Sequence, residues 1–248
     1  MLVEEKEEEE DSKLSIGIIG FGTFGQFLAH KFKQKHKVLT TSRTDYSEKC
    51  KSLGIEYYRD YDTFFSQKID VLVISVSIIA FDKVLKGIVN YLKGKNILVV
   101  DVLSVKVYPK TIMLDYIPES CDIIAAHPMF GPKSSPSLNW TNNNLVYEPV
   151  RCNTKNRVSR FIKIFKQCNI YILSCEQHDK IVAETQFITH YIGRLLLLLD
   201  LQSYNINTNT YKMLLDIKTI LNRDNNDLFI GMYQYNKYTK DIITKIKG

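Results

Sequence analysis

The chain has 248 residues, 45% of them hydrophobic and 24% charged, a balance that excludes a wholly disordered chain. A membrane-spanning helix needs roughly 20 apolar residues, and the leucine run from Leu195 stops at Asp200. Net charge is +6, but residues 1–13 hold seven acids and two lysines, so the remaining 31 bases and 20 acids give a body of +11.

The acid block at 1–13 repels itself and has nothing to bury, and it reads as a disordered tail. It lacks the apolar core of a signal peptide and the Arg- and Ser-rich composition of a transit peptide. A basic body attracts anions: nucleic acid, or phosphorylated and carboxylated small molecules. Most of the excess is lysine, with only seven arginines, and the plain reading is a solvated lysine-rich surface. A nucleic-acid binder would cluster its bases with aromatics on one face, and here they are dispersed. Cys50, Cys121, Cys152, Cys168 and Cys175 are scattered without zinc spacing. They read as reduced thiols in a reducing compartment, with no metal centre.

Strand and helix patterns alternate through the first half. Residues 14–19 read as a buried strand and 23–34 as a helix with Phe24, Phe27, Leu28 and Phe32 on its apolar side. Strands follow at 37–42, 71–76, 96–101 and 122–126, with a helix after the second of these running through Leu92. Continuous apolar strands alternating with helices predict an α/β, Rossmann-type parallel sheet covered on both faces. The predicted dinucleotide-binding domain spans 14–174.

From residue 175 the pattern turns helical. Ile181, Phe187, Ile188, Ile192, Leu195 and Leu199 recur at helical spacing up to a polar loop at 203–209. A second helix is predicted over 211–221 and a last one over 225–247. Some 70 residues in three helices make a small core alone. They must pack on the first domain, on a second copy, or on both, and a helical dimerisation and substrate domain over 175–248 is expected, in a homodimer.

Gly20-Phe21-Gly22-Thr23-Phe24-Gly25 lies between the first strand and the first helix. In that place Gly20 permits the tight turn, Gly22 lets the backbone approach a pyrophosphate, and Gly25 lets helix and strand pack closely. The pyrophosphate would sit at the helix N-terminus, where free N–H groups favour anions. The second strand ends in Ser42-Arg43-Thr44-Asp45. Two hydroxyls and an arginine suit the 2′-phosphate of NADP, while Asp45 is a competing carboxylate that keeps NAD in play.

Two segments stand at the carboxyl ends of predicted strands, where open α/β sheets bind ligands. They are Asp101–Lys106 (DVLSVK) and His127–Pro132 (HPMFGP). A third region holds His178-Asp179, Gln186, His190 and Arg194. His190 and Arg194, four apart, share a helix face and could clamp a carboxylate.

The turn GFGTFGQFL, the strand end SRTDYS, then DVLSVK, HPMFGP and QFITHYIGR follow in order. With these motifs the chain resembles the plant-type arogenate/prephenate dehydrogenases of tyrosine synthesis over residues 14–236. The resemblance implies a Rossmann domain followed by a helical dimerisation domain. It implies oxidation of the ring alcohol of arogenate or prephenate with NAD(P), and loss of the ring carboxylate as CO2. By motif, His127 is the catalytic base, Ser104 its hydroxyl partner at the substrate, His190 a substrate-binding residue, and Asp179 part of the supporting polar network.

In these relatives an aspartate at the position matching Asp224 goes with arogenate, and asparagine there goes with prephenate. A carboxylate beside the substrate ammonium is electrostatically sensible, so arogenate is expected and prephenate is the alternative. Arg223 could bind a substrate carboxylate. A non-catalytic NADP-binding sensor would have no use for His127, Ser104 and His190 together. Ala126 stands where plant relatives usually carry threonine, and residues 133–140 are poorer in glycine than usual. No plastid-targeting segment is visible, so a mature plastid form or a cytoplasmic enzyme is expected, with no membrane and no nucleic acid among its partners.

Overall fold

The structure, a computed structural model, describes residues 13–135, 137, 139–221 and 226–247. The acidic block, Lys13 apart, lies outside the described residues, as do Arg223 and Asp224.

One eight-stranded sheet organises the chain, in the order β3-β2-β1-β4-β5-β6-β7-β8. Its strands are β1 (Ser15–Ile19), β2 (Lys37–Thr41), β3 (Glu56–Tyr58), β4 (Val71–Ile74), β5 (Leu98–Asp101), β6 (Asp122–Pro128), β7 (Asn144–Arg151) and β8 (Asn169–Ile172). The first six are parallel. β7 runs antiparallel to β6, and β8 runs parallel to β7. The five predicted strands are present, and β3, β7 and β8 are additions to the expected sheet.

Helices cover both faces. α1 (Thr23–Phe32), α2 (Ser47–Leu53) and α6 (Lys155–Lys163) belong to one side of the connectivity; α3 (Tyr61–Phe65), α4 (Phe81–Leu92) and α5 (Val107–Tyr116) belong to the other. Each face has its own core. Phe27, Leu28, Phe32, Phe161, Phe165 and Trp140 pack over Ile16, Ile18 and Val73. Leu85, Ile88, Leu92 and Met113 pack over Leu72, Ile74, Val99 and Ile123. This double cover is why β4 and β5 are buried at every position.

The C-terminal part starts with α7 (Cys175–Val182). A capping box begins it: Gln177 N–H donates to Ser174 Oγ at 3.2 Å, and Ser174 N–H donates to Gln177 Oε1 at 3.1 Å. One π turn (Ala183–Phe187) joins α7 to α8 (Ile188–Leu198), so the single helix predicted there contains a wide turn. α9 (Asn209–Leu221) follows. The predicted last helix is in fact two, α10 (Asn226–Tyr235) and α11 (Thr239–Lys247). The break is at Asn236, which is fully buried. Its Nδ2 donates to the Asp179 carbonyl at 2.8 Å and its Oδ1 accepts from Tyr238 N–H at 3.0 Å. That side chain offers the backbone a partner that helix continuation would not.

These helices pack on the sheet domain. Cys175, Phe187 and Met232 share the core of Leu72, Ile74 and Phe81. α10 sits so close to the 3-10 turn Ile78–Ala80 that a Cβ on Gly231 would lie 2.8 Å from Ile78 Cβ. α8 nevertheless leaves Ile192, Leu195, Leu198 and Leu199 exposed.

Two glycines of the first turn are fixed by packing. Gly20 has φ +96°, a region that L side chains avoid. A Cβ on Gly25 would stand 2.1 Å from the Gly20 carbonyl oxygen, whereas one on Gly22 would meet no atom of the described residues within 4 Å. Gly25→Ala is therefore expected to destabilise the fold by about 1–3 kcal/mol, as overpacking does. Gly22→Ala should fall within about 0.5 kcal/mol of wild type. Denaturant melts of the two variants read this contrast.

Candidate active site

The turn, the strand ends and the helical part converge at the carboxyl edge of the parallel strands. The strand order reverses direction between β1 and β4, which creates the crevice where such sheets bind ligands. Gly20-Phe21-Gly22 lies at its mouth. Gly20 N–H donates to the Thr41 carbonyl at 2.9 Å. Phe21 is buried and meets the Tyr46 ring edge-on, with centroids 5.6 Å apart. Thr23 is exposed. α1 starts at Gly22 with no side-chain cap and no acid in its first turn. Open space over Gly22 and an uncapped helix start fit a dinucleotide pyrophosphate.

Ser42, Arg43 and Thr44 leave β2 at the same edge. Ser42 is half-buried, and Arg43 and Thr44 are exposed. Asp45, the competing acid, has its Oδ1 engaged by Ser47 N–H at 2.9 Å, and hydrogen bonds from Ser47 hold its carboxyl below the usual range.

His127 is the sixth residue of β6 and is buried. The loop after it returns to the first turn: a Cβ on Gly131 would lie 4.0 Å from Phe24 Cδ2. The ring of His127 has a partner that sequence reading did not supply. His127 Nδ1 is 2.8 Å from His178 Nε2. His178 Nδ1 is in turn 2.8 Å from Asp179 Oδ1. Asp179 also accepts two backbone N–H groups, Lys106 on Oδ1 at 2.8 Å and Val107 on Oδ2 at 3.0 Å. Those are the first N–H groups of α5, for which Lys106 is the N-cap residue. The carboxylate thus caps a helix from 72 residues away in sequence, where the dipole favours negative charge.

This chain of bonds assigns the protons. The Asp179 carboxylate accepts, so His178 carries its proton on Nδ1. A neutral imidazole has one donor and one acceptor, so His178 Nε2 accepts and His127 donates from Nδ1. His127 Nε2 is left with a bare lone pair.

Behind the relay sits a buried ion pair. Lys106 Nζ contacts Asp101 Oδ1 and donates to the Ala126 carbonyl at 2.6 Å. Both side chains are almost wholly buried, and Asp101 Oδ2 has no hydrogen-bond partner among the described residues. Burial pushes the Asp101 carboxyl up to about 6, with Lys106 pulling the other way. Burial, and then the nearby charges of His178 and Lys106, hold His127 well below the ordinary histidine value. Burial lowers His178 too, with its Asp179 hydrogen bond opposing.

Of the predicted residues, His127 and Asp179 are brought together, with His178 between them. Ser104 is half-buried in the β5–α5 loop and its hydroxyl makes no hydrogen bond among the described residues. The hydrogen-bonding partner of the His127 ring is His178. His190 is buried on α8. Arg194, one turn on, donates to Asn226 Oδ1 at 2.7 Å and lies 4.5 Å over the Phe229 ring. Its Nε is buried without a hydrogen-bond partner among the described residues, and so is the Oε1 of Gln186 in the π turn. His178 and Lys106 stand inside the sequence motifs, but the motifs assign neither a role. The signal available was the His-Asp pair itself, placed at a helix start.

Comparison with known proteins supplies a lineage. The nucleotide-binding domain profile of prephenate dehydrogenase matches residues 24–174, and that of a TYRAAT1-like C-terminal domain matches 195–248. The chain is 40% identical over 232 residues to chloroplastic arogenate dehydrogenase 1 of Arabidopsis thaliana, covering 91% of this chain and 36% of that protein. It is 36% identical over 237 residues to arogenate dehydrogenase 2 of the same plant, covering 93% and 66%. The chain thus spans about one third and about two thirds of these two relatives. Among solved structures it resembles prephenate dehydrogenase from Aquifex aeolicus in complex with hydroxyphenyl propionate and NAD+. The TM-score is 0.76 at 18% identity, over 95% of this chain and 87% of that one. Arogenate dehydrogenase from Synechocystis gives a TM-score of 0.68 at 17% identity, over 94% and 90%. An α/β sheet domain with helices behind it, a glycine turn at the switch point and the span of the profile match agree on one lineage: the chain belongs to the prephenate dehydrogenase family.

Proposed function

We propose that this chain oxidises arogenate with NADP, with His127 as the base and loss of the ring carboxylate as CO2. The observation that carries the reading is the bare Nε2 of His127, set by the relay through His178 to Asp179. The arogenate dehydrogenase names of the two Arabidopsis relatives support the substrate. The yeast relative named prephenate dehydrogenase [NADP(+)], 29% identical over 200 residues, supports the cofactor, as do Ser42, Arg43 and Thr44 at the end of β2. Chloroplastic names support a plastid setting. The exposed apolar stripe on α8 supports a homodimer.

A bound nicotinamide supplies the hydride acceptor for the ring carbon that carries the alcohol. His127 Nε2 takes the hydroxyl proton. A base of this kind contributes about 10²–10⁴-fold, or about 3–5 kcal/mol of barrier. As the imidazole becomes charged, Asp179 stabilises it through His178, and α5 holds Asp179 still. No residue is needed to drive decarboxylation, because the oxidised ring becomes aromatic on losing CO2. Gln186, His190 and Arg194 lie on the π turn and α8 and are the groups we assign to the substrate's carboxylates and polar end. Gln186 Oε1 and Arg194 Nε, buried and without a partner among the described residues, support that assignment. Ser104, half-buried in the β5–α5 loop, is our candidate for a hydroxyl at the substrate.

The first test gives the purified protein NADP with arogenate or prephenate and follows absorbance of the reduced cofactor, with sedimentation of the same sample. Arogenate should turn over faster, in a dimer. Faster turnover of prephenate would reassign the substrate, no turnover of either would remove the enzymatic reading, and a monomer would remove the dimer.

The second test concerns the base. His127→Asn and Asp179→Asn should each lower kcat by at least about 10²-fold, with NADPH binding unchanged. His127 works only when unprotonated. Its depressed proton affinity keeps that form populated below pH ~6.5. The acid limb of kcat/KM should accordingly lie below that pH, with activity falling as pH falls. An acid limb above it, or a fully active His127→Asn, would defeat the role.

A further inference from the structure

The register of the sheet brings a second arginine to the end of β2. Thr41 pairs with Tyr58, so residues 42–44 and Arg59 leave β2 and β3 side by side. Arg59 Nη1 donates to the Arg43 carbonyl at 2.9 Å and lies 3.4 Å from Tyr57 Oη. Tyr57 Oη is itself 3.2 Å from the carbonyls of Ser42 and Thr44. The loop is therefore shaped by two side chains, Tyr57 within β3 and Arg59 just after it.

Arg59 is exposed, and its Nε and Nη2 make no hydrogen bond among the described residues. That edge is one that meets a phosphate with two parallel N–H bonds. Neither Arg43 nor Arg59 has an ion pair within 4 Å among the described residues; the carboxylate of Asp45 takes the Ser47 N–H and attracts Arg59 only as the smallest influence on that guanidinium. Two guanidinium groups on one loop raise the local positive potential, which favours a dianion.

Resting on the NADP reading above, we infer that Arg59 is a second cation for the 2′-phosphate of NADP and so sets cofactor preference together with Arg43. Arg43 belongs to the loop after β2, whereas Arg59 comes from the neighbouring strand and has its fork half spent on holding that loop. The two roles differ in what they predict. A phosphate contact acts on NADPH alone; a loop scaffold acts on both dinucleotides alike.

The experiment is equilibrium titration of wild type, Arg59→Gln, Arg59→Lys and Arg43→Gln with NADPH, NADH and adenosine 2′,5′-bisphosphate, at low and high salt. Thermal melts check that each variant is folded. Arg59→Gln should weaken NADPH and the bisphosphate by about tenfold or more, the scale of one charge-assisted bond. NADH should change by less than about twofold, within a few tenths of a kcal/mol. Arg59→Lys, which keeps the charge but not the fork, should lose less. The salt dependence of NADPH binding should also flatten in Arg59→Gln. Equal losses for NADPH and NADH would overturn the inference and make Arg59 a scaffold. Loss in Arg43→Gln alone would overturn it while leaving the NADP reading in place. Equal wild-type affinity for both cofactors, unmoved by any variant, would overturn the NADP reading itself.

Discussion

The carboxylate of Asp179 at the start of α5 is the contact on which the site depends. It takes the Lys106 and Val107 N–H groups and so satisfies donors that every helix start leaves orphaned. The same oxygen that takes Lys106 N–H also takes His178 Nδ1. One carboxylate therefore fixes a helix, a tautomer and, through the tautomer, the lone pair of His127. It also ties the two halves of the chain together, because α5 belongs to the sheet domain and Asp179 to the helical part. Asn236 reinforces the tie by holding the Asp179 carbonyl from a third element.

Lys106 shows a second economy. Its backbone N–H holds Asp179 while its ammonium joins Asp101, at the end of β5, to the Ala126 carbonyl on β6. A buried ion pair is weak evidence for stability, since desolvation offsets attraction. Here it has a geometric use. It locks β6 at the residue before His127 and places a positive charge near both imidazoles, which disfavours their protonation. A neutral base with a supported proton acceptor behind it is the arrangement that general-base chemistry asks for.

The parallel core was legible because burial on both faces writes itself as unbroken apolar runs, as in Val71–Ile74. β7 was not, because it mixes Asn144, Tyr147, Glu148 and Pro149 with apolar residues and carries a register shift opposite Ile123 and Ile124. Proline within a strand pattern argues against a central strand, and here it falls at that irregularity. β8 has all four residues exposed at the sheet edge, so it shows no alternation to read. The break after Tyr235 has no glycine or proline to announce it and is set by a bond to a carbonyl 57 residues away. The site divides in the same way. His127 and the glycine turn stand at strand ends, and strand ends can be found from local pattern. The pairing of His127 with His178 joins residues 51 apart, and no local pattern encodes it. The imidazole beside the base is placed by the fold.

The account rests on which ring nitrogens carry protons. Long-range proton–nitrogen correlation spectroscopy on ¹⁵N-labelled protein at neutral pH reads this directly, with His127→Asn and His178→Asn to assign the signals. Protonated Nδ1 and bare Nε2 on both His127 and His178 are predicted. A proton on Nε2 of His127 would contradict the account, because the lone pair that it assigns to the substrate would already be filled.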